Sequence, residues 1–168
     1  YPSHLKYDQS RKMPYLAMLD RLKDFLMSGS AALFLCGYSF SDEHINNVIV
    51  QTLRNNPTGI AFGFLFGELE DPKYQKAIEC AKQVSNLSLF AFDKAVIGRS
   101  IGKLVLKDEG TIVDIPAEIV RLTSKKGVDK KGKPIEPKSA EFLLGDFAKF
   151  GQFLREISSN QKEENEAE

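Results

Sequence analysis

At 168 residues, 42% of them hydrophobic and 27% charged, the chain is long enough to bury one core without disulfides or a structural metal. Lys and Arg total 23, as do Asp and Glu, so a net charge of zero gives no electrostatic case for nucleic acid or an anionic membrane. No apolar run reaches the length of a membrane span, and no signal peptide is recognisable. Cys36 lies in an apolar strand and Cys80 in a predicted helix, so both read as free buried thiols suited to the reducing cytoplasm. The sequence begins at Tyr1 without a methionine and reads as a piece of a longer protein.

Tyr1 to Tyr15 is polar, aromatic and irregular, and predicts no element of its own. Pro14 opens a helix to about Met27, with Leu16, Leu19, Leu22, Phe25 and Leu26 as the stripe that covers a sheet and Gly29 as its stop. Ala32 to Tyr38 is a continuous apolar run, which predicts a strand buried on both faces in the middle of a parallel sheet. From Asp42 the spacing turns helical, with Ile45, Val48, Ile49 and Leu53 on one face.

Between that strand and helix lies Gly37-Tyr38-Ser39-Phe40-Ser41, a tight turn. Turns at the carboxyl ends of parallel strands are where open α/β sheets bind ligands. Ser39 or Ser41 can cap the helix, and free backbone N–H groups suit a phosphate or a ribose hydroxyl. Asp42 can cap, favour the helix dipole, or accept from a ribose hydroxyl. His44, one turn in, has the surface or a ligand open to it. Capping and packing are the commoner use of such turns, and the spacing alone leaves both roles open.

Gly59 to Phe66 predicts a second buried strand, Asp71-Pro72 the start of a helix to about Val84, and Leu87 to Phe92 a third strand. This alternation predicts an α/β fold with a doubly wound, mainly parallel sheet. Lys94 to Gly102 shows no clear period, and Lys103 to Leu106 with Thr111 to Ile115 predicts a small hairpin. Ser124 to Lys138 carries six lysines and two prolines but no interleaved aromatics, so it reads as a solvated loop and not as a nucleic-acid arm. Phe142 to Ile157 regains helical spacing, with Gly145-Asp146 near its start, and residues 159–168 form a polar tail.

His4 and His44 have no metal-ligand partner at helical or hairpin spacing, and neither Cys-x-x-Cys nor His-Glu-x-x-His occurs. G-x-S-x-G, the Walker lysine loop and a complete G-x-G-x-x-G are also missing. Ser39, Asp42 and His44 are the best local set, and without a nucleophile or cofactor geometry they do not make a catalytic constellation.

The stretch GYSFSDEHIN resembles the glycine–aromatic–serine or –glycine–aromatic–x–Asp–x–x–Ile–Asn segment of bacterial sirtuin-like domains, which hydrolyse NAD in anti-phage defence proteins. Tyr1-Pro2, Lys6-Tyr7, the Leu- and Phe-rich segment from Leu16 to Leu26 and the run from Leu33 to Gly37 follow that family's order, and Gly145-Asp146 resembles its carboxyl end. Only residues 37–47 are specific to it. The resemblance implies a Rossmann-like fold, with residues 1–158 as the carboxyl-terminal part of a sirtuin-like domain. It implies NAD as substrate or ligand, touched by Gly37, Tyr38, Ser39, Phe40, Asp42 and His44. The family's Gly-Ala-Gly phosphate loop, Thr-Asn-x-Asp segment and catalytic His-Gly would precede Tyr1, so no catalytic residue is assigned and the fragment alone is expected to be inactive. His4 is followed by Leu and does not take the catalytic role. Expected partners are the N-terminal part of the same domain and further copies in a homo-oligomer. The alternatives are a non-catalytic module that binds NAD or ADP-ribose as a signal, and a structural module whose helices and lysine-rich loop build an assembly or dock an ATPase partner.

Overall fold

A computed structural model describes the backbone of residues 4–103, 119–123, 127–128, 134–135 and 139–165, with side chains over 14–103, 119–121 and 141–159. The predicted hairpin of Lys103 to Leu106 with Thr111 to Ile115 falls almost wholly outside the described residues. In chain order the elements are α1 (His4–Met27), β1 (Ala32–Cys36), α2 (Glu43–Asn55), β2 (Ile60–Phe64), α3 (Gln75–Gln83), β3 (Leu87–Phe90), β4 (Lys94–Ile97), β5 (Ser100–Lys103), β6 (Val120–Thr123), β7 (Gly127–Val128), β8 (Pro134–Ile135), β9 (Ser139–Phe142) and α4 (Phe147–Asn165).

The fold is α/β, with a five-stranded mixed sheet in the order β1-β2-β3-β4-β5. β1, β2 and β3 are parallel, and Phe34 sits opposite Phe62 and Cys36 opposite Phe64. β3, β4 and β5 then run antiparallel, so the sheet is not doubly wound and parallel throughout. Lys94 to Gly102, where no period is visible, is a hairpin: Gly98 and Arg99 both take positive φ, 56° and 72°, and turn the chain tightly. β6 pairs with β9, and β7 with β8 inside the lysine-rich segment.

The alternation of side chains divides the core between the two faces of the sheet. Ala61, Leu65, Leu87 and Leu89 point toward α2 and α3, where they meet Ile49, Leu53, Ala77 and Ala81. Phe62, Phe64 and Phe90 point the other way, toward Phe142, Leu144 and Phe150 at the start of α4. Of these, the fully buried Ile49, Leu53, Leu65, Leu87 and Leu89 contribute roughly 1.5–3 kcal/mol each. Asp71 caps the 3₁₀ turn Pro72–Tyr74 that leads into α3, its carboxylate accepting from the Lys73 N–H at 3.0 Å.

Four expectations are corrected. β1 is not central: it is the edge of the described sheet, and Phe34 is 49% exposed. Among the described residues one edge of β1 pairs with no strand, and its side chains are only partly covered on either face. α1 begins at His4, ten residues before Pro14, because residues 4–13 contain no glycine or proline and several good helix formers. Its stripe covers the sheet only at the end: Leu26 is fully buried, but Leu16 and Phe25 are 52% and 46% exposed. At the carboxyl end, Phe142 finishes a strand and the helix starts at Phe147, since Gly145 is pressed so close to the Leu65 backbone that a Cβ there would collide with its carbonyl oxygen. That helix continues past Ser158 to Asn165, which takes in most of the expected polar tail.

Candidate functional site

The turn from Gly37 to Asp42 leaves the carboxyl end of β1 and enters α2. Gly37 has φ 71°, a conformation costly to any residue with a Cβ. Phe40 also lies at positive φ, 55°, where a bulky residue is a true outlier. Two contacts hold it there. Its ring is buried, 1% exposed, and packs over Gly63, where a Cβ would reach 3.4 Å from the ring. Its carbonyl accepts from the Asn46 amide at 2.7 Å. The side chain of Phe40 therefore belongs to the core and offers no surface to a ligand.

Tyr38 is half-buried and folds inward against Phe40, with ring centroids 4.7 Å apart. Its hydroxyl donates to Asn46 Oδ1 at 2.8 Å and approaches the Asp42 carbonyl at 3.3 Å. Burial first, and the charge of Asp42 second, push its pKa up to about 12, so the phenol stays a donor across the physiological range. Asn46, 6% exposed, thus spends its amide on Phe40 and its oxygen on Tyr38, pinning the turn from below.

Asp42, not Ser39 or Ser41, is the cap of α2: its Oδ1 accepts from the His44 and Ile45 N–H groups at 2.9 and 3.1 Å. Its Oδ2 accepts from the Tyr15 hydroxyl of α1 at 3.0 Å. These bonds, led by that from Ile45, hold its carboxyl below the ordinary range. Ser39 and Ser41 are exposed and bond to each other, Oγ to Oγ, at 2.9 Å. His44 stands exposed on the first turn of α2. Of the six residues expected at the site, Tyr38 and Asp42 are joined through one network, Ser39 and His44 line the exposed side, Gly37 supplies the bend, and Phe40 anchors it.

The start of α4 lies beside this region. The Cys36 thiol donates to the Leu144 carbonyl at 3.6 Å, and Gly145 rests on the Leu65–Phe66 backbone beyond β2. Asp146 caps α4, accepting from Ala148 N–H at 2.8 Å. Burial, then the charge of Asp146, raise the Cys36 pKa, so that thiol is not a ready nucleophile. Both helix starts carry a carboxylate that occupies N–H groups and offsets the positive end of the dipole. An incoming phosphate meets repulsion there, whereas a hydroxyl can donate to Asp42 and bond to Ser39. The turn suits a hydroxyl group better than an anion.

The stretch GYSFSDEHIN ends on Asn46 without giving it a role, and Tyr15 lies outside it. Asn46 follows Asp42 by four residues, so it sits on the same helix face as the cap, and that spacing was a usable signal. Tyr15 had none, because its contact comes from tertiary packing. A cavity of about 220 Å³ opens between α2 and α3 beside Asn46, lined also by Glu43, Lys76, Glu79 and Cys80. Among the described residues, no group of three or more His, Cys, Asp or Glu side chains is placed to hold a metal, and no helix is long and apolar enough to cross a membrane. No protein-family model matches the chain, and no curated protein matches it significantly.

Proposed function

We propose that this chain is the carboxyl-terminal half of a sirtuin-like domain that binds NAD and, in the intact protein, hydrolyses it to nicotinamide and ADP-ribose in anti-phage defence. The observation that carries the proposal is the pinned turn after β1. A bulky residue at φ 55°, held by a buried asparagine, is a strained and over-determined conformation of the kind that clusters at ligand sites. It stands at the carboxyl end of a parallel strand, next to an exposed serine and an ionised aspartate. In this role Gly37 lets the backbone approach the ligand, while Ser39 and Asp42 take hydroxyls of a ribose. Tyr38 and Asn46 hold the turn in shape without touching the ligand.

The open flank of β1 supports a domain that extends beyond these residues. α2 and α3 pack on one face of the sheet, and the end of α1 packs with them through Leu22 and Leu26. Parallel crossovers are right-handed, so a strand feeding α1 belongs on the free edge of β1. Such a strand and its surroundings would cover Phe34, and would give Leu16, Met18 and Phe25 a partner. The phosphate loop and the catalytic base that the family resemblance implies belong to that part. A homo-oligomer, or an ATPase partner, would act through further surfaces of the intact protein.

The test is nicotinamide release by the intact protein carrying Ser39→Ala, with NAD affinity and a thermal melt measured on the same preparation. The Ser39 hydroxyl bonds only to Ser41 among the described residues, so its loss should weaken NAD binding about fivefold to tenfold while leaving the melting temperature in place. Unchanged affinity and turnover would remove the turn from the site.

A further inference from the structure

At the opposite end of the parallel strands, away from the Gly37 turn, a cavity of about 340 Å³ opens where α2 ends, β3 begins and the β4–β5 hairpin turns. That volume is within the range of small-ligand sites. Arg54 comes to it from the last turn of α2 and Arg99 from the hairpin tip, with Gln83 and Ser85 between them and Leu53 and Val84 as apolar floor. Among the described residues no carboxylate lines it, although the chain holds as many acids as bases. The ion pairs among the described residues use Lys73, Lys76, Lys94 and Arg121, and neither arginine of the cavity. Arg54 reaches Gln83 Oε1 at only 3.5 Å, at the outer limit of a hydrogen bond.

Two features give this arrangement the character of a built site. Arg99 stands at φ 72°, directly after Gly98 at 56°, in a two-residue turn where asparagine or glycine is the unstrained choice. An arginine is held there at a cost in backbone strain, with its side chain lining a cavity that already contains a second guanidinium. The walls are also fixed. The Asn86 amide donates to the carbonyls of Leu53, Asn56 and Gly59 at 2.9, 3.2 and 2.7 Å, tying the end of α2 and the approach to β2 to the first turn of β3. The Asn56 amide donates in turn to the Leu26 and Gly29 carbonyls at 2.7 and 2.8 Å. Arg54 therefore projects from the tied-down end of α2, which limits the entropy lost when an anion orders it.

We propose that Arg54 and Arg99 form a binding site for a small phosphorylated ligand, separate from the turn after β1 and independent of the function assigned to that turn. Guanidinium forks match phosphate oxygens in paired, charge-assisted hydrogen bonds, and Ser85 and Gln83 add neutral donors. Two cations around a cavity without a carboxylate suit a dianion or a diphosphate more than a single carboxylate.

The experiment is calorimetric titration of the intact protein with inorganic pyrophosphate, at physiological ionic strength, with sulfate as a control for general anion binding. Saturable binding is expected, tighter than that of sulfate. Arg54→Gln should weaken it about tenfold or more, and Arg54→Lys should restore part of it. Arg99→Gly is the decisive variant. It removes the guanidinium and relieves the turn, so it should hold or raise the melting temperature while weakening pyrophosphate about tenfold. Absence of saturable binding, equal affinity for sulfate and pyrophosphate, or full affinity in both Arg54→Gln and Arg99→Gly would overturn the site. Ser39→Ala should leave pyrophosphate binding to these arginines unchanged, which separates this result from any outcome at the turn.

Discussion

The Asn46 amide donates to the Phe40 carbonyl, six positions earlier, at 2.7 Å, and so holds a buried phenylalanine in the left-handed region. Removing that amide leaves the Phe40 carbonyl without its partner and the Tyr38 hydroxyl with only the Asp42 carbonyl at 3.3 Å. Asn46→Ala should therefore lower the unfolding free energy by about 1–3 kcal/mol, read from urea denaturation. A change within error would mean that the turn holds its shape by packing alone.

Gly37 and Gly145 separate two kinds of glycine requirement. A Cβ at Gly37 meets nothing within 4 Å, so Gly37→Ala should cost only the left-handed backbone term, about 1–2 kcal/mol. A Cβ at Gly145 strikes main-chain atoms of Leu65 and Phe66, which cannot swing aside as a side chain can. Gly145→Ala should cost about 3 kcal/mol or more, the upper end of overpacking. The same denaturation series checks both, and a reversed order would contradict the packing of the α4 start onto β2.

The Tyr38 phenol is shifted from its ordinary value of 10.0 up to about 12 in the folded protein. A raised folded pKa means that its contribution to stability is complete below pH 10 and is lost as the pH rises through about 12. Tyr38→Phe should flatten that alkaline limb. Asp42 has the opposite sign: its folded pKa is lowered from 3.8, so its contribution is present above that value and is lost as the pH falls through the lower, folded value. Asp42→Asn should flatten the acid limb. Melting temperatures across both ranges test the pair, and parallel profiles for wild type and variant would refute the assignment.

The aromatic layer under α4 gives a contrast in burial. Phe64, 7% exposed, packs against Phe34, Phe90, Phe142 and Phe150, and Phe64→Ala should cost about 3–5 kcal/mol. Phe34 is 49% exposed on the open edge, and Phe34→Ala should cost less than about 1.5 kcal/mol in the isolated chain. A cost at Phe34 equal to that at Phe64 would show that the flank of β1 is already covered.

The parts of the fold legible in the sequence are those whose pattern is local. β2 and β3 read as unbroken apolar runs, α2 as an amphipathic stretch behind Asp42, and α3 as the helix after Asp71-Pro72. The edge position of β1 is not legible, because an apolar run reports that both faces of a strand are apolar and says nothing about its neighbours. The β4–β5 hairpin escapes because its strands are four residues each and its turn puts an arginine where asparagine or glycine is the usual signal. At the site, the turn and its Asp–Ser chemistry are visible in GYSFSDEHIN, whereas the inward fold of Tyr38 and the burial of Phe40 follow from Gly63 on the next strand. Contacts across strands leave no mark on the spacing of either partner.

NAD turnover by the intact protein, compared with the chain of 168 residues alone, tests the central claim most directly. The account predicts nicotinamide release by the intact protein and none by these residues alone, because it assigns the catalytic base and the phosphate loop to a part outside these residues. An intact protein that neither binds nor cleaves NAD, or a 168-residue chain that cleaves it at a comparable rate, would contradict the account.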